Sequence, residues 1–483
     1  MANAFDLNRT TVGSPLPVCV DLDGTLIHSD LLIESALSLI ASKPWMVFAM
    51  LAWLLRGKAH LKHEIARRVT LDASSLPYNE PLIAWLREQG ADRKIILCTA
   101  SDRVLAERVA EHVGVFDEVL ASDGERNLAG TRKGAVLVER FGERGFDYVG
   151  NATVDLQVWK HAHAAIVVES GTTLSRRAAA HTNVERRFVT ARAGLRTWMK
   201  ALRIHQWIKN ILVFLPVLVA HRIFEVDAVV RSLLAFLCFG LCASSVYLTN
   251  DLLDLPADRH HHRKRHRPFA SGTLPLLAGP VVAAITLMAG LALAWLVSPT
   301  FMAVMVGYYV LTTAYSIRLK RVMMLDVVVL ATLYTTRIIA GAAAIQSKPS
   351  FWLLAFSMFI FLSLAMVKRY TELLTMQRIG KVKANGRGYD VEDIPLIQSL
   401  GGSSGYLAVL VLALYVDSTA SQSLYHHPHR LWLLCPPLLY WISRTWALAH
   451  RGVMHDDPVV FAVMDKVSRF ILLAAGGIVA SAI

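Results

Sequence analysis

Residues 250–258, NDLLDLPAD, end a long apolar segment and decide how the second half of the chain folds. Asn250, Asp254 and Asp258 are four residues apart, so on a helix they lie roughly on one face. Carboxylates stacked at a membrane boundary repel each other and are costly to bury. A divalent cation with a bound diphosphate is the simplest compensation, so the stretch predicts a Mg²⁺-diphosphate site. The alternative is a solvated cap on the apolar segment.

Apolar segments of helical length fill the chain on both sides of this stretch. Hydrophobic residues make up 54% of the 483 positions, and mean hydropathy is +0.43. Few soluble proteins have this balance, so we expect an all-α membrane domain of nine transmembrane helices over 205–483. The nine predicted spans are 206–221, 230–249, 276–297, 300–316, 325–345, 351–367, 403–417, 430–449 and 467–483.

The net charge of +13 is placed as membrane topology would place it. Most Lys and Arg residues of the second half lie in alternate loops, and such loops stay cytoplasmic. We therefore expect membrane lipids as partners and no nucleic acid. The start of the chain, MANAFDLNRT, is polar and unlike a signal peptide. These features predict a multi-pass inner (cytoplasmic) membrane protein whose front domain and acidic motifs are cytoplasmic.

The front of the chain, 1–172, alternates short apolar strands with helices, which indicates a parallel α/β sheet. Two apolar stretches within 31–57 interrupt this pattern, and each is too short to span a bilayer. We expect them to form a helical cap on the sheet; the alternative is a cap that also touches the membrane surface. Residues 173–204, rich in Arg and Ala, are expected to be a basic linker.

Asp21 and Asp23, in DLDGTL, directly follow the first predicted strand. Ligands bind beyond the carboxyl ends of the strands in an open α/β sheet. Two carboxylates there point the same way, so one can attack a phosphorus atom while the other protonates the leaving group. A divalent cation is needed, because the carboxylates would otherwise repel an anionic substrate.

These residues resemble the haloacid-dehalogenase phosphatase superfamily, and the resemblance covers about residues 16–170. It implies a Rossmann-like domain in which Asp21 is the nucleophile and Asp23 the general acid/base. Thr99 and Lys133 would then bind the phosphoryl group, and Mg²⁺ would lie among Asp21, Asp23, Asn151 and Asp155. Asn151 departs from the usual Asp and weakens the charge of the site. A domain that only binds or regulates is the alternative.

Two polar loops of the second half add further charged candidates. The basic run 259–268, RHHHRKRHRP, places Arg259, Lys264 and Arg267 close to the acids, where they can hold phosphate oxygens. The loop after the fourth predicted span contributes Tyr315, Lys320 and Asp326, the last two as a cation and an acid at the same membrane boundary.

The motif NDLLDLPAD, the RP that follows it and this second polar loop resemble the UbiA superfamily of intramembrane prenyltransferases. HQWIKN at 205–210, YSIRLK at 315–320 and YTTRIIAGA at 334–342 look like its polyprenyl-phosphate phosphoribosyltransferase branch. The aromatic prenyltransferases usually have a DxxxD pattern in the second loop, whereas this chain has Asp326 alone. The resemblance implies phosphoribosyl pyrophosphate as donor, a polyprenyl phosphate as acceptor and Mg²⁺ as cofactor.

The roles expected in this domain are catalytic, metal-binding and substrate-binding. Asp254 and Lys320 are the expected catalytic residues. The metal ligands would be Asp251, Asp254, Asp258 and Asp326, and the substrate-binding residues Lys209, Asn250, Lys264, Arg267, Tyr315, Arg337 and Lys368. The hypothesis is a two-step enzyme whose front domain removes the 5-phosphate from the transferred phosphoribose. The alternatives are prenyl transfer to an aromatic or lipid acceptor and, more distantly, a transporter.

Overall fold

The structure is a computed structural model that describes residues 15–191, 193–380, 388–454 and 457–483. The chain divides into two compact units. The front unit consists of the described residues up to Leu202 together with Leu248–Val282, and the helical unit consists of Arg203–Tyr247 and Ala283–Ile483. The acidic stretch 250–258 therefore belongs to the front unit.

A six-stranded parallel sheet forms the centre of the front unit. Its strands are β1 (Val18–Val20), β2 (Ile95–Asp102), β3 (Glu118–Ser122), β4 (Asp147–Gly150), β5 (Ala164–Glu169) and β6 (Asn183–Val189). Their order is β3-β2-β1-β4-β5-β6, and Val18 is in register with Ile95 on one side and Asp147 on the other. The predicted parallel sheet is confirmed. Its central strands are apolar because both of their faces are covered.

Helices cover the sheet and form a cap at its carboxyl edge. They are α1 (Leu31–Ser42), α2 (Met46–Leu55), α3 (Lys58–Ala66), α4 (Glu80–Gln89), α5 (Arg103–Val113), α6 (Thr131–Phe141), α7 (Leu156–Trp159), α8 (Thr173–Ala179) and α9 (Leu195–Ala201). The cap consists of α1, α2 and α3 and has its own small core of Leu39, Leu61, Ile65 and Val69. Asp30 starts α1 by accepting a hydrogen bond from the Ile33 amide.

The range 173–204 is more ordered than a linker. It contains α8, α9 and the edge strand β6, which pairs with β5 from Asn183 to Val189. The sequence of β6, NVERRFV, looks like a charged connection because an edge strand exposes most of its side chains. Val184 and Phe188 are the exceptions, since they pack against the cores on the two faces of the sheet.

The rest of the chain is helical. In chain order the helices are α10 (Leu215–Val219), α11 (Val226–Leu253), α12 (Leu255–His260), α13 (Ala278–Val297), α14 (Pro299–Ile317), α15 (Leu325–Ala344), α16 (Phe351–Arg378), α17 (Ile394–Val416), α18 (Thr419–Leu424), α19 (Cys435–His450), α20 (Pro458–Met464) and α21 (Lys466–Ala482). Helical turns of the 3-10 type over Ile204–Phe214 and Pro428–Leu434 precede α10 and α19.

Among the described residues, six helices are long and apolar enough to cross a membrane, or seven if the broken helix before α11 is one span. The six are α11, α13, α14, α15, α16 and α17. An all-α membrane domain is thus confirmed, while the count of nine spans stays a prediction. The last two expected spans coincide with α19 and α21, whose 16 and 17 residues are short for a bilayer.

The acidic stretch lies at the junction of α11 and α12. The Asp254 amide donates to the Asn250 carbonyl and the Asp258 amide to the Asp254 carbonyl, each at 2.8 Å. Pro256 lies in the first turn of α12, where its missing N–H breaks no helical hydrogen bond. The four-residue spacing is therefore kept through the junction, as the sequence predicts.

Candidate active sites

Asp21 follows β1 directly and is buried next to Lys133 of α6. The Lys133 ammonium donates to the Asp21 carboxylate at 2.7 Å and to the Tyr148 hydroxyl at 2.9 Å. Burial alone would lower the pKa of Lys133, but the Asp21 carboxylate raises it above its ordinary value. Lys133 therefore stays charged and holds the Asp21 carboxylate in one orientation.

Asp23 is fixed from two sides at the same edge of the sheet. One carboxylate oxygen accepts from the Leu31 amide at 2.8 Å, and the other accepts from the Ser101 hydroxyl at 2.6 Å. Burial raises the pKa of Asp23 to about 7, and the Asp30 carboxylate acts in the same direction. A carboxyl group with this pKa can donate and accept a proton near neutral pH.

Asp155 and Asn151 lie beside these two acids on the loop after β4. Asp155 accepts from the backbone amides of Asn151 and Ala152 at 3.0 and 2.9 Å and from the Tyr148 hydroxyl at 3.1 Å. The Asn151 side chain is so close to Gly24 that a Cβ there would lie 2.1 Å from its amide nitrogen. The loop after β4 is thus packed against the turn of the DLDGTL motif.

The charges of this site fit a hard divalent cation. Burial, with the nearby Asp21 carboxylate, raises the pKa of Asp155 to about 6. The donors are carboxylate and amide oxygens, which Mg²⁺ prefers. Within the described parts of the chain, however, no three His, Cys, Asp or Glu side chains are grouped as metal ligands. Asn151 offers an amide oxygen, which carries no charge, at this edge of the sheet.

Two further polar side chains in this site come from positions that the sequence did not single out. Lys62, on cap helix α3, donates to the Ala100 carbonyl at 2.6 Å. Ser101 links Asp23 to Thr99, because its backbone amide donates to the Thr99 hydroxyl at 3.0 Å. Thr99 itself is fully buried within β2. The predicted residues Asp21, Asp23, Thr99 and Lys133 are thus brought to one edge of the sheet.

A second acidic group lies in the same unit, at the junction of α11 and α12. Arg267 donates to Asp258 at 2.5 Å and to Asp251 at 3.0 Å, and Lys264 lies 3.9 Å from Asp258. Both carboxylates are buried, and burial raises the pKa of Asp258 even with Arg267 beside it. Additional positive charge would therefore stabilise this group, and its oxygen ligands fit Mg²⁺.

Three other predicted residues are less enclosed than Asp251 and Asp258. Asn250 and Asp254 are half-buried at the end of α11 and at the start of α12. Lys320 is half-buried in the short turn Leu319–Arg321 of the helical unit.

Arg259, the first basic residue after the acidic stretch, is bound to the cap of the front unit. Its guanidinium forms two hydrogen bonds to the Glu34 carboxylate on α1, at 2.5 and 3.1 Å, and a third to the Ala270 carbonyl. Both charged side chains are at most 5% exposed. Next to this pair, His260 lies 3.0 Å from Asp72. Arg259 thus neutralises Glu34, in contrast to the phosphate contact that its loop suggested.

This ion pair predicts a loss of stability in Glu34→Ala. The substitution leaves the Arg259 guanidinium buried without its carboxylate, so the free energy of unfolding of the front unit should fall by about 3 kcal/mol. Thermal unfolding of the purified protein in detergent measures the effect. Glu107→Ala, at an exposed position of α5, is the matched control. Equal unfolding midpoints for the two variants would contradict the prediction.

In the helical unit, Asp326 is fully buried at the start of α15. One of its oxygens accepts from Arg369 of α16 at 2.5 Å, and the other accepts from the Tyr389 hydroxyl. Arg369 also donates to Tyr315 at 3.0 Å and pairs with Glu372. The predicted residues Asp326 and Tyr315 are thus brought together around Arg369.

A second polar group of the helical unit surrounds Asp457, which precedes α20. Lys209 donates to its carboxylate at 2.7 Å, Lys368 at 3.2 Å and the Tyr334 hydroxyl at 3.1 Å. In the sequence, Asp457 is one acid of a polar loop without an assigned role. The structure thereby joins two predicted substrate-binding lysines around an acid that the sequence did not identify. Asp457, Lys209, Lys368 and Tyr334 are called the lysine cluster below.

Arg337, one turn from Tyr334 on α15, is buried in a polar environment of its own. It donates to the Asn210 side chain at 3.1 Å, to the Tyr308 hydroxyl at 3.2 Å and to the Leu333 carbonyl at 2.6 Å. Asn210 is adjacent to Lys209 in the chain, so Arg337 adds a third cation close to the lysine cluster.

An apolar cavity of about 600 Å³ lies within the helical unit. Its lining comes from the turns before α10 and α19, from α10 and from helices α15 to α21, and it is almost entirely aliphatic and aromatic. Phe361 lines it and stacks on Tyr334, with ring centroids 5.2 Å apart. Ile338 and Val459, which neighbour Arg337 and Asp457 in the chain, also line it. The cavity therefore adjoins the lysine cluster.

Comparison with known proteins finds relatives of the whole chain and of its helical part. An uncharacterized protein, y4nM, of Sinorhizobium fredii is 37% identical over 97% of this chain and 90% of its own length. Nodulation protein NoeC of Azorhizobium caulinodans is 38% identical over 59% of this chain and 92% of its own. Decaprenyl-phosphate phosphoribosyltransferase of Mycobacterium tuberculosis is 30% identical over 57% of this chain and 90% of its own length.

A solved structure, a UbiA homolog from Archaeoglobus fulgidus bound to GPP and Mg²⁺, is 14% identical with a TM-score of 0.45 and covers 59% of this chain and 99% of its own. The model of the UbiA prenyltransferase family matches residues 213–471, which is more than half of the 483 residues. This match includes all six long apolar helices that the structure describes. The chain is therefore an integral membrane transferase that belongs to the UbiA prenyltransferase family.

Proposed function

We propose that the protein moves 5-phosphoribose from phosphoribosyl pyrophosphate to a polyprenyl phosphate and then removes the 5-phosphate. The helical unit and the acidic stretch would perform the transfer, and the front domain would act as a haloacid-dehalogenase-type phosphatase. The relatives named decaprenyl-phosphate phosphoribosyltransferase support the first step, since this chain covers about nine tenths of their length at 29–30% identity in two mycobacterial species.

The observation that carries the proposal is the lysine cluster beside the apolar cavity. A polyprenyl phosphate has one anionic head and a long apolar tail. Lys209 and Lys368 offer ammonium groups to a phosphate, and the cavity of about 600 Å³ offers apolar surface to the first isoprene units. Asp457 keeps the two ammonium groups close together before a phosphate arrives. An acceptor without a charge would need neither lysine.

In the transfer, an oxygen of the lipid phosphate attacks the anomeric carbon of the ribose as its bond to pyrophosphate breaks. The lipid phosphate is already an anion, so it requires positioning more than a strong base. Asp251, Asp254 and Asp258 would hold Mg²⁺, which neutralises the leaving pyrophosphate. Lys264 and Arg267 would bind its oxygens, and Lys320 would stabilise charge that develops in the transition state.

In the second step, Asp21 attacks the phosphorus of the 5-phosphate, and the bond from phosphorus to the ribose oxygen breaks. Asp23 donates its proton to that oxygen and afterwards accepts one from the water that hydrolyses the aspartyl phosphate. Lys133 and Thr99 would hold the phosphoryl oxygens. Mg²⁺ at Asp21, Asn151 and Asp155 would lower the repulsion between the carboxylates and the substrate. Both steps would take place on the cytoplasmic side of the inner membrane.

Mass spectrometry of the lipids that copurify with the protein tests this assignment. We expect polyprenyl phosphate in the wild type, and polyprenylphosphoryl ribose after incubation with phosphoribosyl pyrophosphate and Mg²⁺. Two findings together would contradict the proposal: prenyl diphosphate that copurifies with the protein, and transfer of its prenyl group to an aromatic or lipid acceptor. The protein would then have the alternative activity, which is prenyl transfer.

The lysine cluster predicts a selective effect of Lys368→Met. The loss of one charged hydrogen-bond donor should raise the KM for polyprenyl phosphate roughly 10- to 100-fold. The KM for phosphoribosyl pyrophosphate should stay within about twofold of the wild-type value. Steady-state kinetics with each substrate varied in turn measures the split. Lys348→Met, at an exposed position before α16, is the matched control. A raised KM for the pyrophosphate donor alone would contradict the assignment.

A further inference from the structure

Helix α2 of the cap exposes an apolar face that no described part of the protein covers. Its sequence, MVFAMLAWLL, has no polar residue, yet none of its side chains is buried. The outward side chains are large: Phe48 is 74% exposed, Leu51 58% and Leu55 90%. Trp45 and Leu54 extend this surface at its two ends. These five residues are called the outer face of α2.

The opposite side of α2 is packed in an ordinary way. Met46, Met50 and Trp53 lie against the small core of the cap that α1 and α3 form. The Arg68 guanidinium stacks on the Trp53 ring at 4.6 Å. The helix is therefore held in place from within, and the exposure of its outer face is a property of the folded cap.

The charges around α2 indicate which partner fits this face. Lys43 precedes the helix, Arg56 and Lys58 follow it, and all three are exposed. The sequence has no acidic residue between Glu34 and Glu64. Anionic lipid headgroups attract such a basic surface, and an indole ring such as that of Trp45 prefers the level of the headgroups. A protein partner would more commonly meet a mixture of polar and apolar residues.

The length of α2 and its attachment to a membrane protein agree with that choice. A helix of 10 residues is about 15 Å long, which is too short to cross a bilayer. A short helix with an apolar face and basic ends lies in the plane of the interface. The described residues also include six helices long and apolar enough to cross a membrane, so the chain that carries α2 is held at a bilayer.

We propose that the outer face of α2 inserts into the interfacial region of an anionic lipid leaflet, with Lys43, Arg56 and Lys58 at the headgroups. This contact fixes the cap on the membrane surface. The cap continues from α2 into α3, which carries Lys62 into the front site. The contact would thus hold the front site close to the leaflet that contains its lipid substrate; this last consequence rests on the proposed phosphatase activity, whereas the insertion itself does not.

Site-directed spin labelling of the full chain tests the insertion. A nitroxide is attached to Leu51→Cys and, as matched control, to Glu107→Cys on the exposed surface of α5, after reconstitution into nanodiscs of phosphatidylcholine and phosphatidylglycerol. The five native cysteines are buried and do not compete for the label. We expect the ratio of oxygen to nickel-chelate accessibility at position 51 to be several times that at position 107.

Two outcomes overturn the proposal. Equal ratios at both positions would show that the outer face lies in water. A label at position 51 that neither oxygen nor the nickel chelate reaches would show that another protein surface covers α2, and spin–spin broadening would identify that surface as a second copy of the chain.

Discussion

Asp254→Ala is expected to lower the rate of phosphoribosyl transfer roughly 1,000-fold without loss of the fold. Asp254 occupies the junction of α11 and α12, between Asn250 and Asp258, and its side chain is half-buried. In the proposed site it is the central carboxylate that binds the Mg²⁺ of the leaving pyrophosphate. Without it, the charge on the departing group is poorly neutralised. Release of pyrophosphate by purified protein in nanodiscs measures the rate.

The matched control is Asp227→Ala. Asp227 lies at the other end of α11, is exposed and pairs with Arg231 one turn away. An exposed pair of this kind contributes little to stability, so this variant should keep the wild-type rate. If the Asp254→Ala variant retains activity within about tenfold of the wild type, the Asp254 carboxylate takes no part in the transfer step.

Asp21→Asn is expected to abolish removal of the 5-phosphate, by roughly 10,000-fold, and to leave the transfer step unchanged. The amide cannot attack phosphorus, while it can still accept a hydrogen bond from Lys133. The lipid product should therefore accumulate as polyprenylphosphoryl-5-phosphoribose. Thin-layer chromatography of the lipid extract, with phosphoribosyl pyrophosphate labelled in the ribose, separates the two products.

Asp92→Asn, at an exposed position before β2, is the control and should yield the same product as the wild type. If the Asp21→Asn variant removes the 5-phosphate at the normal rate, the front domain does not have the proposed phosphatase activity. A binding or regulatory role would then describe that domain better.

Local sequence patterns were sufficient to predict the main architecture. The alternation of apolar strands with helices predicts the parallel sheet, because crossover helices separate parallel strands in the chain. The spacing of Asn250, Asp254 and Asp258 predicts the helical repeat that the backbone hydrogen bonds display. Strand β6 was missed because its Arg residues look like a linker, and only its pairing with β5 makes it a strand.

The candidate sites were predictable only where the motif is contiguous or follows the ends of strands. Asp21 and Thr99 meet because the adjacent parallel strands β1 and β2 bring them to one edge, and Lys133 reaches Asp21 from helix α6. Other contacts join residues that are far apart in the chain, and no local pattern marks them. Lys209 and Asp457 are 248 positions apart, and Glu34 and Arg259 are 225 apart. Such pairs depend on how the helices pack.

Transfer of label from ribose-labelled phosphoribosyl pyrophosphate into the lipid phase tests the central claim most directly. The purified protein, in nanodiscs that contain polyprenyl phosphate, should move the ribose label into the organic extract only when Mg²⁺ and both substrates are present, with one pyrophosphate released for each ribose transferred. An organic extract without label, from a protein that transfers a prenyl group from its diphosphate under the same conditions, would contradict the account.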